Sequence, residues 1–308
     1  MQAIVSVPHQ PNHIEFREVA EPVPARDEVI ITARAVSLNR GNFRRLAWEN
    51  DSWIPGYDVA GEISQTAADG SGPPLGTRVV GIVPSGAWAQ QVAVPTRRLA
   101  AIPNHVSFEA AAAIPVSGLT SLLSLAHGGM LLGKHVLITG AAGGVGRIAI
   151  QLAQLQGAHV TAQIGRPERA KGLRELGAAS IILDIDESKQ AFDLVLESIG
   201  GNILAQSLTH LAPGGTVVSI GASSDEKTNF DVLGLVRKGA IKLYALSLFQ
   251  EMELQGMGTR QLDMLLDLLV THRLDPQIDQ QRSWQHMGEM LAALGDRRID
   301  GKAIAIVD

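Results

Sequence analysis

The stretch Val136-Leu-Ile-Thr-Gly140-Ala-Ala-Gly143-Gly144-Val-Gly146-Arg-Ile-Ala-Ile-Gln-Leu152-Ala153 decides the fold, because a glycine-rich turn joins an apolar run to a helical repeat. Val145, Ile148, Ala149, Leu152 and Ala153 recur at the spacing of one helix face. Before them, Val136 to Ile138 is a short apolar run of the kind found in buried strands. Glycines in such a turn admit positive φ and let backbone N–H groups approach a pyrophosphate, and the helix start adds partial positive charge. A glycine triplet alone equally suits a tight turn with no ligand, so the surroundings decide its meaning.

Working outward, strand-like runs alternate with helical patterns: Val136–Ile138, His159–Ile164, Ser180–Leu183, Asp193–Leu196, Thr216–Ile220 and Ile241–Leu246. Such alternation predicts an α/β, doubly wound parallel sheet with helices between the strands, over residues 116–255. Residues 1–115 instead carry short Val/Ile runs broken by Pro, Gly and Asp, such as Asp27–Ala33 and Gly76–Val83, and predict a β-rich domain. Helical patterns around Gln261–Thr271 and Trp284–Leu294 and a final strand, Lys302–Val307, follow.

The end of the second strand reports which dinucleotide is bound. A carboxylate about 20 residues beyond the glycines would bind the ribose hydroxyls of NAD and repel a 2′-phosphate. The chain has Ile164-Gly165-Arg166 there, then Arg169 and Lys171. A guanidinium fork suits a phosphate, so the expected cofactor is NADPH. The alternative is that these cations belong to a solvated helix start beside Glu168.

Of the 308 residues, 45% are hydrophobic, 19% charged and 4% aromatic, and 26 Lys and Arg against 31 Asp and Glu leave a net charge of −5. No basic stripe offers itself to a phosphodiester backbone, so nucleic acid is not an expected partner. The absence of cysteine excludes disulfides, a thiol nucleophile and any Cys-ligated zinc. Met1–Pro8 lacks the basic start and long apolar core of a secretory signal, and later apolar runs are interrupted before they reach membrane-spanning length. A cytoplasmic protein with no membrane partner is expected.

Several segments together resemble the zinc-independent quinone oxidoreductase branch of the medium-chain dehydrogenase/reductase superfamily. They are Met1-Gln-Ala-Ile-Val, Glu18–Pro24, Ala35-Val-Ser-Leu-Asn39-Arg-Gly-Asn42, Pro55-Gly-Tyr57-Asp58-Val-Ala-Gly61 and Gly76–Gly81 in the first third of the chain. Gly118-Leu-Thr120-Ser, Ala141–Gly146, Glu197-Ser-Ile-Gly-Gly201, Leu211–Gly221 and Gly301-Lys302 continue the likeness in the same order. The resemblance implies a GroES-like catalytic domain to which residues 256–308 return, a central Rossmann domain, and an active-site cleft between the two. At the zinc-ligand positions of the alcohol dehydrogenase branch stand Asn39, Tyr57-Asp58 and Val116, and the four-cysteine structural lobe is missing, so no metal is expected.

By family position, Asn39 lies beside the nicotinamide ribose and the acceptor, although an Asn before Gly41 is also a common turn former. Thr120 approaches the nicotinamide side, with a helix cap as the plainer reading. Ala142, Gly143, Gly144 and Val145 meet the pyrophosphate. Gly165, Arg166 and Arg169 meet the adenosine ribose and its phosphate. Gly221, Ala222 and Ser223 after the fifth strand and Leu246 and Ser247 after the sixth run along the cofactor. Tyr57 either donates a hydrogen bond or proton to the substrate oxygen or fills the volume of the absent metal. Asp58 reads as structural, and Trp53 and Trp88 as core residues or pocket walls.

The expected activity is NADPH-dependent hydride transfer to a small-molecule electron acceptor, a quinone or other conjugated carbonyl, without zinc. Alternatives are a reductase of enones or enoyl thioesters, and an NADPH-binding protein without turnover. The apolar, β-prone segment Ala240–Phe249 at the expected sheet edge points to a homodimer.

Overall fold

The computed structural model describes residues 1–8, 13–256 and 258–308. They form two compact units, Met1–Leu119 with Met252–Asp308, and Thr120–Glu251. The division falls four residues from the expected 115/116 and 255/256 boundaries. Two helices, α3 (Pro115–Ala126) and α7 (Leu248–Gln255), run through the dividing points, so neither is marked by a linker.

The first unit is built around one long strand. It contains β1 (Gln2–Ser6), β2 (Ile14–Glu18), β3 (Glu28–Leu38), α1 (Arg40–Trp48), β4 (Asp58–Gln65), β5 (Arg78–Ile82), β6 (Gln91–Pro95), β7 (Leu99–Ala101) and α2 (Phe108–Ala112). From the chain's end it takes α8 (Thr259–Val270), β14 (Ile278–Ser283), α9 (Met287–Gly295) and β15 (Lys302–Ile306). Apolar residues bury most of β3, which pairs with β4 along one edge. Its other edge is shared: β6 covers Glu28–Thr32 and β15 covers Ala35–Leu38. The last strand of the chain thus lies beside the residues leading into Asn39.

Strand β14 has no sequence signal. Ile278-Asp-Gln-Gln-Arg-Ser283 shows neither alternation nor an apolar run, yet it pairs in parallel with β15 at the end of the sheet, where polar side chains can stay half exposed. The core of this unit packs Trp88, Trp284, Ile31, Ile63 and Leu99 together.

The second unit carries β8 (His135–Ile138), α4 (Gly144–Leu155), β9 (His159–Gln163), β10 (Ala178–Ile182), β11 (Phe192–Glu197), α5 (Gly201–Thr209), β12 (Leu211–Ser219), α6 (Val232–Lys238) and β13 (Lys242–Ala245). All six expected strands form, in the order β10-β9-β8-β11-β12-β13 and all parallel. The order reverses between β8 and β11, which puts the glycine turn at the switch point of a doubly wound sheet.

Helix α4 buries Arg147, Ile150 and Gln151 along with Ile148, Ala149, Leu152 and Ala153 of its apolar face, because a helix pressed on a sheet and flanked by turns has little free surface. One expectation needs correction. The crossover from β9 to β10 holds no full helix but a single 3₁₀ turn, Pro167–Ala170. Gly172 and Gly177, at φ +80° and +113°, break the repeat that follows. No helix among the described residues is long and apolar enough to cross a membrane.

Candidate functional site

The expected pyrophosphate-binding residues Ala142, Gly143, Gly144 and Val145 lie in the second unit, between the carboxyl end of β8 and the first turn of α4. After β8 the chain turns at Gly140, whose φ of +58° a side chain would resist, and where a Cβ would lie 2.6 Å from Ser198 Oγ. At Gly146 a Cβ would stand 2.6 Å from Ala141 Cα, so α4 can pack on the turn only because glycine is there. Gly143 occupies the N-cap of α4 and supplies no side chain to the first-turn amides. A Cβ at Gly143 would meet only Gly140 O, at 3.4 Å. A helix start left without a side-chain cap and lined by glycine is a cradle for an anion, and it fits the pyrophosphate of a dinucleotide.

Beyond β9, Gly165 faces open space and Arg166 is exposed. Arg169 extends back toward the turn, with Nη2 3.5 Å from Ala142 O. The residue that holds this region, missed by sequence reasoning, is Arg147. Its Nε donates to Ala142 O at 3.2 Å and its Nη2 to Lys171 O at 2.8 Å. The helical spacing placed Arg147 off the apolar face, so nothing in the pattern marked it as buried.

Glu197, quoted above only as part of a motif, organises the neighbouring loop. Buried at the end of β11, it accepts from the backbone N–H of Ile199 at 2.7 Å and of Gly200 at 3.0 Å, and from Thr139 Oγ1 at 3.3 Å. Burial raises its carboxyl pKa while these bonds pull it down. The loop after β12 packs on the same segment, with Ser223 N–H donating to Ser198 O at 3.1 Å and Ser224 N–H to Ile199 O at 2.8 Å. Gly221 and Ala222 are exposed beside it. After β13, Leu246 is buried and its N–H donates to Ser219 O at 2.9 Å, while Ser247 is exposed and its carbonyl accepts from Glu251 N at 2.8 Å. Thr120 is the sixth residue of α3, too far along the helix to cap it; its carbonyl accepts from Ser124 Oγ at 2.7 Å.

In the first unit, Asn39 caps α1 and belongs to a buried polar network. Its Oδ1 accepts from Lys302 Nζ at 2.8 Å, and its Nδ2 donates to Asp58 Oδ2 at 2.7 Å and Ser37 Oγ at 3.3 Å. Both amide protons are therefore committed inside this unit. Ser37 Oγ donates to Asp58 and accepts from Lys302 Nζ at 2.9 Å. Asp58 is 0% exposed and its Oδ1 accepts from Val116 N–H at 2.9 Å, which caps the first turn of α3 with a carboxylate from another strand. Lys302, 2% exposed, lies 3.6 Å from Asp58. Burial pushes its ammonium pKa down, and Asp58 opposes that shift.

Tyr57 is half buried, its ring close enough that a Cβ on Gly41 would stand 3.3 Å from Cε2. Burial raises the pKa of its hydroxyl, Arg45 lowers it by charge and by a hydrogen bond, and Asp58 raises it. The net shift is upward, so Tyr57 keeps its proton at neutral pH and can donate it. Arg45 in turn lies over the Trp53 ring, 4.0 Å from its centroid, and its Nε donates to Glu49 Oε1 at 3.0 Å. Trp88 is a core residue whose Nε1 donates to Ser37 O at 3.2 Å.

These residues do not fit a zinc ion. The donors present are an amide with its protons committed, a phenol, and a carboxylate already paired with an ammonium, and a chain without cysteine offers no thiolate.

The family model described as zinc-binding dehydrogenase matches residues 144–259, and that of the alcohol dehydrogenase GroES-like domain matches residues 25–104. A quinone oxidoreductase of Pseudomonas aeruginosa is 26% identical, with 96% of this chain and 96% of that protein aligned. A 2-methylene-furan-3-one reductase of Solanum lycopersicum is 33% identical over 65% of this chain, which spans 56% of that protein. The chain spans only 13% of a highly reducing polyketide synthase of Arthrinium phaeospermum, at 29% identity. Among solved structures, the Escherichia coli quinone oxidoreductase complexed with NADPH superposes with a TM-score of 0.86 at 23% identity, covering 99% of this chain and 100% of that one. With one family model in each part of the chain and a quinone oxidoreductase aligned over 96% of it, the protein belongs to the medium-chain dehydrogenase/reductase superfamily, in its quinone oxidoreductase-like family.

Proposed function

We propose that this oxidoreductase uses NADPH to reduce a quinone or another conjugated carbonyl compound, without zinc. The observation that carries the cofactor assignment is the end of β9, where open Gly165 and exposed Arg166 stand in place of a ribose-binding carboxylate. When bound, the nicotinamide supplies the hydride. The amides of residues 142–145 hold the pyrophosphate, and Arg166 and Arg169 hold the 2′-phosphate. Tyr57, whose phenol is protonated at neutral pH, holds a proton for the acceptor's developing oxygen anion. Asn39, with its amide committed, gives the acceptor a rigid wall rather than a donor.

Reduction of enones or enoyl thioesters needs the same donor, and the identity to a furanone reductase favours an enone among the acceptors. The test is steady-state oxidation of NADPH and NADH against a panel of quinones, enones and enoyl thioesters. Turnover with NADPH on at least one class is expected; tight NADPH binding with no turnover on any of them overturns the enzymatic reading.

The protein is further proposed to work in the cytoplasm as a homodimer. Among the described residues, β13 pairs with β12 alone, and Leu243 on it is 49% exposed. Val232, Leu233 and Val236 on α6 are also exposed. A second copy pairing along this edge would cover apolar surface that a monomer leaves in water. A monomer by light scattering at micromolar concentration would count against it.

A further inference from the structure

Arginine is seldom placed inside a helix that packs on a sheet, because a charge taken from water must recover its hydration through hydrogen bonds. Arg147 is such a residue: it is the fourth of α4 and only 6% exposed. Among its partners are two backbone carbonyls from different parts of the fold, Ala142 O at 3.2 Å and Lys171 O at 2.8 Å. The first belongs to the glycine turn before α4. The second ends the 3₁₀ turn Pro167–Ala170, whose flanks and interior carry Arg166 and Arg169.

Arg169 N–H donates to Arg166 O at 3.1 Å, and the chain then bends at Gly172, with φ +80°. A Cβ on Gly172 would stand 3.3 Å from Arg147 Nη1, so the guanidinium fills the space against this bend. Arg169 Nη2 approaches the same Ala142 carbonyl at 3.5 Å. The guanidinium of Arg147 is thus the brace between the glycine turn and the turn after β9. A planar fork can reach two carbonyls at once, whereas an ammonium is a point donor.

We propose that Arg147 is a positioning residue for cofactor choice: by bonding Ala142 O and Lys171 O together, it holds Arg166 and Arg169 where a 2′-phosphate would sit. The inference rests on the NADPH reading above and names the residue that makes the arginines selective. A brace of this kind acts on the part of NADPH that NADH lacks. If Arg147 served only to pack α4, or only to add positive charge near the pyrophosphate, its loss would weaken both cofactors alike.

The test uses the full chain as wild type, Arg147→Met and Arg147→Lys. Dissociation constants for NADPH and NADH are read by nicotinamide fluorescence, with 2′,5′-ADP and 5′-AMP as competitors and thermal melting as a control for folding. Arg147→Met should weaken NADPH at least tenfold and NADH less than threefold, and should weaken 2′,5′-ADP but hardly 5′-AMP. Arg147→Lys, able to reach one carbonyl, should fall between Arg147→Met and wild type, and carries the comparison alone if Arg147→Met does not fold. An equal loss for both cofactors, or an unchanged NADPH/NADH ratio in Arg147→Lys, overturns the brace. A wild type that does not prefer NADPH overturns the cofactor reading itself, and the brace with it. A wild-type preference that survives both substitutions sinks the brace alone.

Discussion

Lys302 and Asn39 are 263 residues apart in sequence, yet Lys302 Nζ donates to Asn39 Oδ1 across 2.8 Å. The contact exists because β15 pairs with the end of β3, with Ala303 opposite Leu38. It makes the closing strand of the chain part of the platform that holds Asn39 and Asp58.

Removing that ammonium should be costly. Lys302→Met leaves Asp58 fully buried with its neutral donors but without its counter-charge. Breaking one side of a buried ion pair typically costs about 3–5 kcal/mol. The midpoint of denaturant unfolding should fall accordingly. The double variant Asp58→Asn with Lys302→Met should lose less than the sum of the two single losses, because no unpaired charge remains. Additive losses would show that the two groups do not act as a pair.

Tyr57→Phe separates the two roles open to the phenol. Ring volume is retained, so a space-filling Tyr57 predicts near wild-type kcat and KM. A proton donor predicts a lower kcat with NADPH affinity held, since the interaction strengthens in the transition state. A drop of less than about tenfold is expected, because a quinone accepts hydride readily and solvent can supply the proton, whereas full general-acid help is worth about 10²–10⁴-fold. A fall near the upper end would make Tyr57 the catalytic acid.

Arg166→Ala should weaken NADPH far more than NADH, by about 1.5–3 kcal/mol, the scale of hydrogen bonds to a charged group. Binding titrations with both cofactors check it. An equal loss for the two would remove Arg166 from phosphate selection.

Glu197 supplies a pH test. Its carboxyl lies above the usual 4.5, mainly through burial. In the unfolded chain it releases its proton near 4.5, and in the folded chain only at higher pH. Its contribution to stability is therefore greatest below the unfolded value and falls as pH rises through the folded one. The stability of wild type relative to Glu197→Gln, which does not titrate there, should be largest below pH 4.5 and shrink as pH rises above it. A difference that stays flat or widens over that range would mean the carboxyl is not held up by burial.

The sequence by itself determined what is local. Six strand runs, the glycine turn and the start of α4 were legible because apolar spacing and the absence of a Cβ act within a few residues. The carboxylate-free end of β9 was legible for the same reason. Tertiary structure alone decided what joins distant segments. It put polar β14 into a sheet through pairing with β15, replaced the expected helix after β9 with one 3₁₀ turn, and buried Arg147 between two carbonyls. It also spent the Asn39 amide on Asp58 and Lys302. Lys302 reads as an ordinary lysine before a strand, and only the pairing of β15 with β3 takes its ammonium out of water and sets it beside a carboxylate. Hydrogen bonds between groups hundreds of residues apart leave no periodicity in the chain, because their spacing is set by the sheet and not by the sequence.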